Sequence, residues 1–217
     1  MSPLAESAKT NPWRLPAQGL ALYESAQRAA ELSHYFLPRL VQEGKNILIL
    51  DGANSANPRL MARLGERRGI AFPQFCRQVR IARAFTCFQL SELIARVPQF
   101  LADFPAQALI VTALPELYFD EDVRDGDARK AFERALGDLR RWSSGPAAAG
   151  PPLAVAVFSS AAGFSPLAAR KHFIEGVRAA SSTAWKFEAG ADGRMRLILT
   201  RAGAGGMHES PPRAALG

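Results

Sequence analysis

Three stretches of the chain run apolar without alternation: Asn46-Ile-Leu-Ile-Leu-Asp51, Ala108-Leu-Ile-Val-Thr-Ala-Leu114 and Leu153-Ala-Val-Ala-Val-Phe158. Each lies between segments of helical spacing, so each reads as a strand buried on both faces. Val79-Arg-Ile-Ala-Arg-Ala-Phe-Thr86 alternates apolar with polar or small residues and reads as a further strand. Gly19-Leu-Ala-Leu-Tyr-Glu24 fits either a short strand or the first turn of a helix. That helix continues through Ala29, Leu32, Phe36, Leu40 and Val41 and ends at Gly44 as a C′ residue would. A second helix, from about Arg59, carries Leu60, Met61 and Leu64 and stops at Gly69, and Pro73 breaks the next connection. From about Phe88, Leu90, Leu93, Ile94, Val97 and Leu101 recur at helical spacing with a kink at Pro98, and another helix runs to Trp142. Thr183-Ala-Trp-Lys-Phe-Glu188 and Arg194-Met-Arg-Leu-Ile-Leu-Thr200, joined by Ala189-Gly-Ala-Asp-Gly193, have the shape of a hairpin.

This alternation predicts an α/β fold: a mostly parallel sheet flanked by helices, with a C-terminal antiparallel hairpin. Residues 1–16 read as a flexible tail ending near Trp13, residues 17–202 as one α/β domain, and residues 203–217 as a disordered tail rich in Gly, Pro and Ser. Ser143-Ser-Gly-Pro-Ala-Ala-Ala-Gly-Pro-Pro152 reads as a flexible connector inside the domain. At 217 residues the chain suits one domain with a full core.

The turn after the first unbroken strand draws attention. Asp51-Gly-Ala-Asn-Ser-Ala-Asn-Pro58 follows the carboxyl end of a buried strand and opens a helix, which is where open α/β sheets place ligands. Composition narrows the classes around it. No run reaches the ~18 apolar residues of a membrane span, so no membrane partner is expected. The first residues lack the apolar core of a secretory signal, and a cytoplasmic location follows as an expectation. Cys76 and Cys87 stand alone, outside any CxxC or Cys/His cluster, which argues against a zinc site or a disulfide framework. The chain carries a net charge of +7, almost all of it from arginine, since only Lys9, Lys45, Lys130, Lys171 and Lys186 are lysines. Guanidinium forks suit phosphate and carboxylate, so nucleic acid or an acidic protein is a natural partner. A GC-rich genome, which spends Arg where others spend Lys, would produce the same bias.

Several segments together resemble the core of the RecA/RadA-type recombinases, the family of DNA strand-exchange ATPases. Gly44-Lys45 precedes the strand ending at Asp51, and Asp51-Gly-Ala-Asn54 and Pro58-Arg-Leu60 follow with the family's spacing. Ile81-Ala-Arg-Ala-Phe-Thr-Cys-Phe-Gln-Leu90, Ala180-Ser-Ser-Thr-Ala-Trp185 and Gly193-Arg-Met-Arg196 are similar to three later family segments in the same order. The likeness spans about residues 19 to 202 and implies a RecA-like fold. It also exposes departures. The phosphate loop GxxxxGK[ST], whose amides wrap phosphates while Lys and a hydroxyl meet phosphate and magnesium, is missing. If Gly19–Glu24 is the first strand, only Ser25-Ala26-Gln27 stands in its place. The glutamate that activates water in the family falls at Ala53, and the magnesium-holding aspartate falls at Thr112. Phosphoryl transfer depends on positioning and charge neutralisation, so the resemblance implies a pseudo-ATPase with no catalytic residues, no metal and no cofactor. It would act as an accessory protein in DNA repair or recombination, beside a RecA-family ATPase or a DNA polymerase.

Further candidates follow the same logic. The segment 159–178 lies where the resemblance places a DNA-binding loop. Arg170, Lys171 and Arg178 would then meet phosphates and Phe164 or Phe173 would stack on bases; an amphipathic helix burying Phe173, Ile174 and Val177 explains the same residues. Asp120, Glu121 and Asp122 belong to an acidic run that would dock a basic partner or simply stay solvated. Asp51 reads as a retained scaffold residue or a metal ligand. In the second case Leu48-Ile-Leu-Asp-Gly-Ala-Asn54 is similar to the opening of NYN/PIN-type metal-dependent nucleases, which need several converging carboxylates. A purely structural interaction module is the remaining alternative. His34 and His172 are isolated and read as structural or exposed, and Cys87 as core.

Overall fold

A computed structural model describes residues 13–16, 19–144, 153–166, 168–190 and 195–202. The expectations for most of the two tails, for the Pro-rich connector and for the hairpin turn fall outside these residues.

The unbroken apolar runs form the strands they predict. One sheet of seven strands has the order β3-β2-β4-β5-β1-β6-β7, built from β1 (Leu20–Glu24), β2 (Ile47–Asp51), β3 (Val79–Arg83), β4 (Ala108–Thr112), β5 (Ala154–Ser159), β6 (Thr183–Ala189) and β7 (Met195–Ala202). All pairs are parallel except β6 with β7, which form the antiparallel hairpin at one edge. Every residue of β1, β2, β4 and β5 is buried, because helices cover both faces. Alternate side chains enter two cores. Leu20, Leu22, Leu48, Leu50, Leu109, Val111, Val155 and Val157 join α5 (Cys87–Ala95), α7 (Asp125–Ser144) and α8 (Lys171–Ala180). Tyr23, Ile47, Ile49, Ile110 and Phe158 face the other way, onto α2 (Leu37–Gln42), α3 (Pro58–Glu66) and α4 (Phe72–Gln78).

Four local expectations are refined. Gly19–Glu24 is a strand, not a helical turn. The helix expected after it is broken into α1 (Ala29–Leu32), a 3-10 turn (Ser33–Phe36) and α2, where Pro38 lacks the N–H that an unbroken helix would need. Pro73 does not merely break a connection. It stands in the first turn of α4, the one place where a helix tolerates proline. Pro98 likewise opens α6 (Val97–Asp103), so the kinked helix is two helices meeting at Arg96.

Candidate functional site

The carboxyl ends of the parallel strands bring together the residues that the sequence singles out, beginning with Asp51 at the end of β2. Its side chain is 1% exposed. Oδ1 accepts from the Ser55 amide at 3.1 Å and from the Thr112 hydroxyl at 3.0 Å, and Oδ2 accepts from the Ala56 amide at 2.9 Å. The Arg83 guanidinium stands 3.8 Å from Oδ2. Asp51 therefore folds the turn back on itself. Thr112 completes this local network from β4, donating to Asp51 and accepting from the Ala53 amide at 3.2 Å. The turn also needs Gly52, because a Cβ there would lie 2.7 Å from the Thr112 carbonyl oxygen. His34 closes the other side: Nδ1–H donates to the Glu31 carbonyl (2.9 Å) while Nε2 accepts from the Asn57 amide (3.1 Å). Burial lowers its pKa and keeps the ring neutral in that role. Among the described residues, no group of three or more His, Cys, Asp or Glu side chains is arranged to hold a metal.

The β1–α1 turn is closed from within the protein. The Ser25 amide donates to the Ser159 carbonyl at 3.1 Å, and the Ala29 amide, first in α1, donates to the Ser160 hydroxyl at 3.0 Å. Gly163 packs so tightly on this turn that a Cβ would lie 2.0 Å from the Ala26 carbonyl oxygen. Thus the loop after β5 covers the Ser25–Gln27 turn, and its Ser160 hydroxyl takes the first amide of α1. An open groove of about 670 Å³ runs beside the turn, lined by Gln27, Arg28, Tyr35, Leu60, Lys186 and Glu188 among others.

Two acids that the sequence reading passed over stand under the same loop. Glu24, at the end of β1, is 5% exposed and takes the Arg178 guanidinium on both oxygens, with Nη2–Oε1 at 2.9 Å. Glu116, in the 3-10 turn after β4, accepts from the Ser160 amide through Oε1, while its buried Oε2 has no partner. Burial, with a smaller contribution from the charge of Glu24, pushes the Glu116 carboxyl up to about 7, against the hydrogen bonds it accepts. Neither acid belongs to a motif, and only the sheet order brings them together.

Of the five candidates in segment 159–178, Arg170 and Phe173 are buried and Arg178 is paired. Arg170 is 1% exposed and points inward. Nε pairs with Asp125 at 2.8 Å, Nη1 donates to the carbonyls of Tyr118 (3.1 Å) and Asp120, and Nη2 donates to that of Val123. Arg178 is held by Glu24 and Glu175. Lys171 and Phe164 remain exposed, Phe164 at 53%. The helix α8 buries Phe173 and Val177, as the amphipathic reading expects, but leaves Ile174 half-buried. The acidic run is fastened from beneath by Arg170, leaving Asp120, Glu121 and Asp122 exposed above it. Cys87 is buried and His172 exposed. No helix among the described residues is long and apolar enough to cross a membrane.

Comparison with protein-family models and with curated proteins finds no match for this chain.

Proposed function

We propose that this protein is a non-hydrolysing, RecA-like accessory factor of DNA repair or recombination that acts by binding a protein partner. The observation carrying the proposal is the closed β1–α1 turn. Ser160 takes the first amide of α1 and Gly163 packs on Ala26, so protein atoms stand where a phosphate loop would cradle its ligand. The acid positions agree with this reading. Ala53 has no carboxylate, Thr112 is neutral, and Asp51 is engaged by two amides and a hydroxyl of its own fold. The same engagement counts against Asp51 as the centre of a nuclease, which needs free carboxylate oxygens for its metal. The family resemblance supplies the pathway, through the segments at 44–60, 81–90 and 180–196. A protein of this kind contributes shape and surface to an assembly, and the partner supplies the chemistry.

The experiment is ATP binding and hydrolysis, measured by calorimetry and by phosphate release with magnesium on the full chain. The expected result is no binding and no turnover. Hydrolysis that survives purification and is lost in a variant of the β1–α1 turn would refute the proposal.

A further inference from the structure

The positive charge of the molecule is concentrated on one edge. Residues 57–96 carry eight arginines against Glu66 and Glu92, a net +6 of the chain's +7. All eight arginines are exposed, and they follow α3, α4, β3 and α5 around the β3 edge of the sheet. Arg59 and Arg63 are one helical turn apart on α3. Arg83, at the end of β3, donates to the Ala56 carbonyl at 3.1 Å, which joins the end of the strand to the start of α3. Arg80 lies 4.4 Å over the Phe104 ring and is thereby positioned on the flank.

Aromatic side chains are interleaved with these charges. Just beyond Arg83, Phe85 is 62% exposed and Phe88 is 50% exposed. Of the five exposed large apolar residues among those described, Phe72, Ile81, Phe85 and Phe88 all lie on this edge. Exposed rings between guanidinium groups are the arrangement that grips unpaired bases and their phosphates. A duplex keeps its bases stacked inside and offers such rings nothing to stack on. An added peptide strand is disfavoured at this edge because two of the five β3 residues are exposed arginines, a charge pattern that discourages strand pairing.

We propose that the β3 edge binds single-stranded nucleic acid, with Arg59, Arg63, Arg80 and Arg83 on phosphates and Phe85 and Phe88 under bases. This site is distinct from segment 159–178, whose two central arginines face inward or pair with glutamates. It does not depend on the loss of nucleotide binding, so the two proposals fail separately.

The test is fluorescence anisotropy of a labelled oligothymidine with the full chain across a salt series. The combined variant Arg59→Gln/Arg63→Gln/Arg83→Gln is expected to flatten the dependence of log K on log salt by about 0.7 per arginine removed. Phe85→Ala/Phe88→Ala should weaken binding by roughly tenfold or more while the salt slope stays unchanged. Circular dichroism melts establish that both variants remain folded. Failure of the wild-type chain to bind, equal binding by both variants, or preference for a duplex would each overturn the proposal. So would displacement of the oligothymidine by polyglutamate at equal charge, which would identify an acidic protein as the occupant.

Discussion

Arg170→Met tests the interior of the β4–α7 connection most directly. The guanidinium is 1% exposed, donates to three backbone carbonyls and pairs with Asp125. Methionine fills much of the same volume but donates nothing, so the Tyr118, Asp120 and Val123 carbonyls lose their shared donor. A buried acceptor left unsatisfied costs about 1–3 kcal/mol. Asp120 lies at the exposed end of the loop, where water can replace the donor, so the full cost falls mainly on Tyr118. The Asp125 side chain is 58% exposed, so its ion pair adds little. The expected total is a destabilisation of about 3 kcal/mol, read from urea melts as a lowered midpoint with an unchanged slope. Arg170→Lys keeps the charge but cannot reach three carbonyls in one plane, and should recover no more than about half of the loss. If Arg170→Met lies within ~1 kcal/mol of wild type, the arginine does not hold this loop together.

Two other perturbations address the loop over the β1–α1 turn. Glu116 holds its proton up to about pH 7 when folded but releases it near 4.5 when unfolded. Between those values the folded state binds more protons than the unfolded state, so this group makes stability fall as pH rises from 4.5 to 7. Glu116→Gln keeps an acceptor for the Ser160 amide and removes the titration; its melting temperature relative to wild type should rise across that window, and a constant difference would refute the assignment. Gly163→Ala places a methyl group against the Ala26 carbonyl and should cost about 1–3 kcal/mol. Amide exchange at Ala29 should accelerate as its bond to Ser160 is lost, and unchanged protection there would show that the turn is not closed by this loop.

How far the sequence reveals this fold depends on the range of the interaction. Buried parallel strands are visible because both faces must be apolar, as in Ile47–Leu50 and Ala108–Val111, and that pattern is local. The ends of α4 and the break before α2 hinge on where a proline falls relative to a helix start, and the difference between breaker and first-turn residue is one or two positions. The site is less visible. Asp51 stands out in any reading of the turn, but Thr112, which donates to it, and His34, which accepts from the Asn57 amide of the same turn, come from other elements. Arg170 shows the limit most clearly. In sequence it is a cation in a basic segment, and only the packing of the 3-10 turn Ala168–Arg170 against the acidic loop makes it an interior donor. Glu24 and Glu116 have no sequence signal at all, since β1 and β4 are brought to either side of β5 only by the sheet order.

That sheet order also governs when the fold can be completed. β1 is hydrogen-bonded to β5 on one side and β6 on the other, with Leu20 opposite Val155 and Ala21 opposite Thr183. At a synthesis rate of ~5–20 residues per second, the ribosome needs roughly 7–30 s after making β1 to make its first neighbour. During that interval β2, β3 and β4 can already pair with one another, whereas Leu20-Ala-Leu-Tyr23 remains an apolar segment without a neighbour. Closing the sheet is then a late, long-loop event of the kind that slows folding and invites chaperones to hold the nascent chain. β5, the fifth strand to emerge, completes the centre of the sheet, and the β6–β7 hairpin then closes its edge.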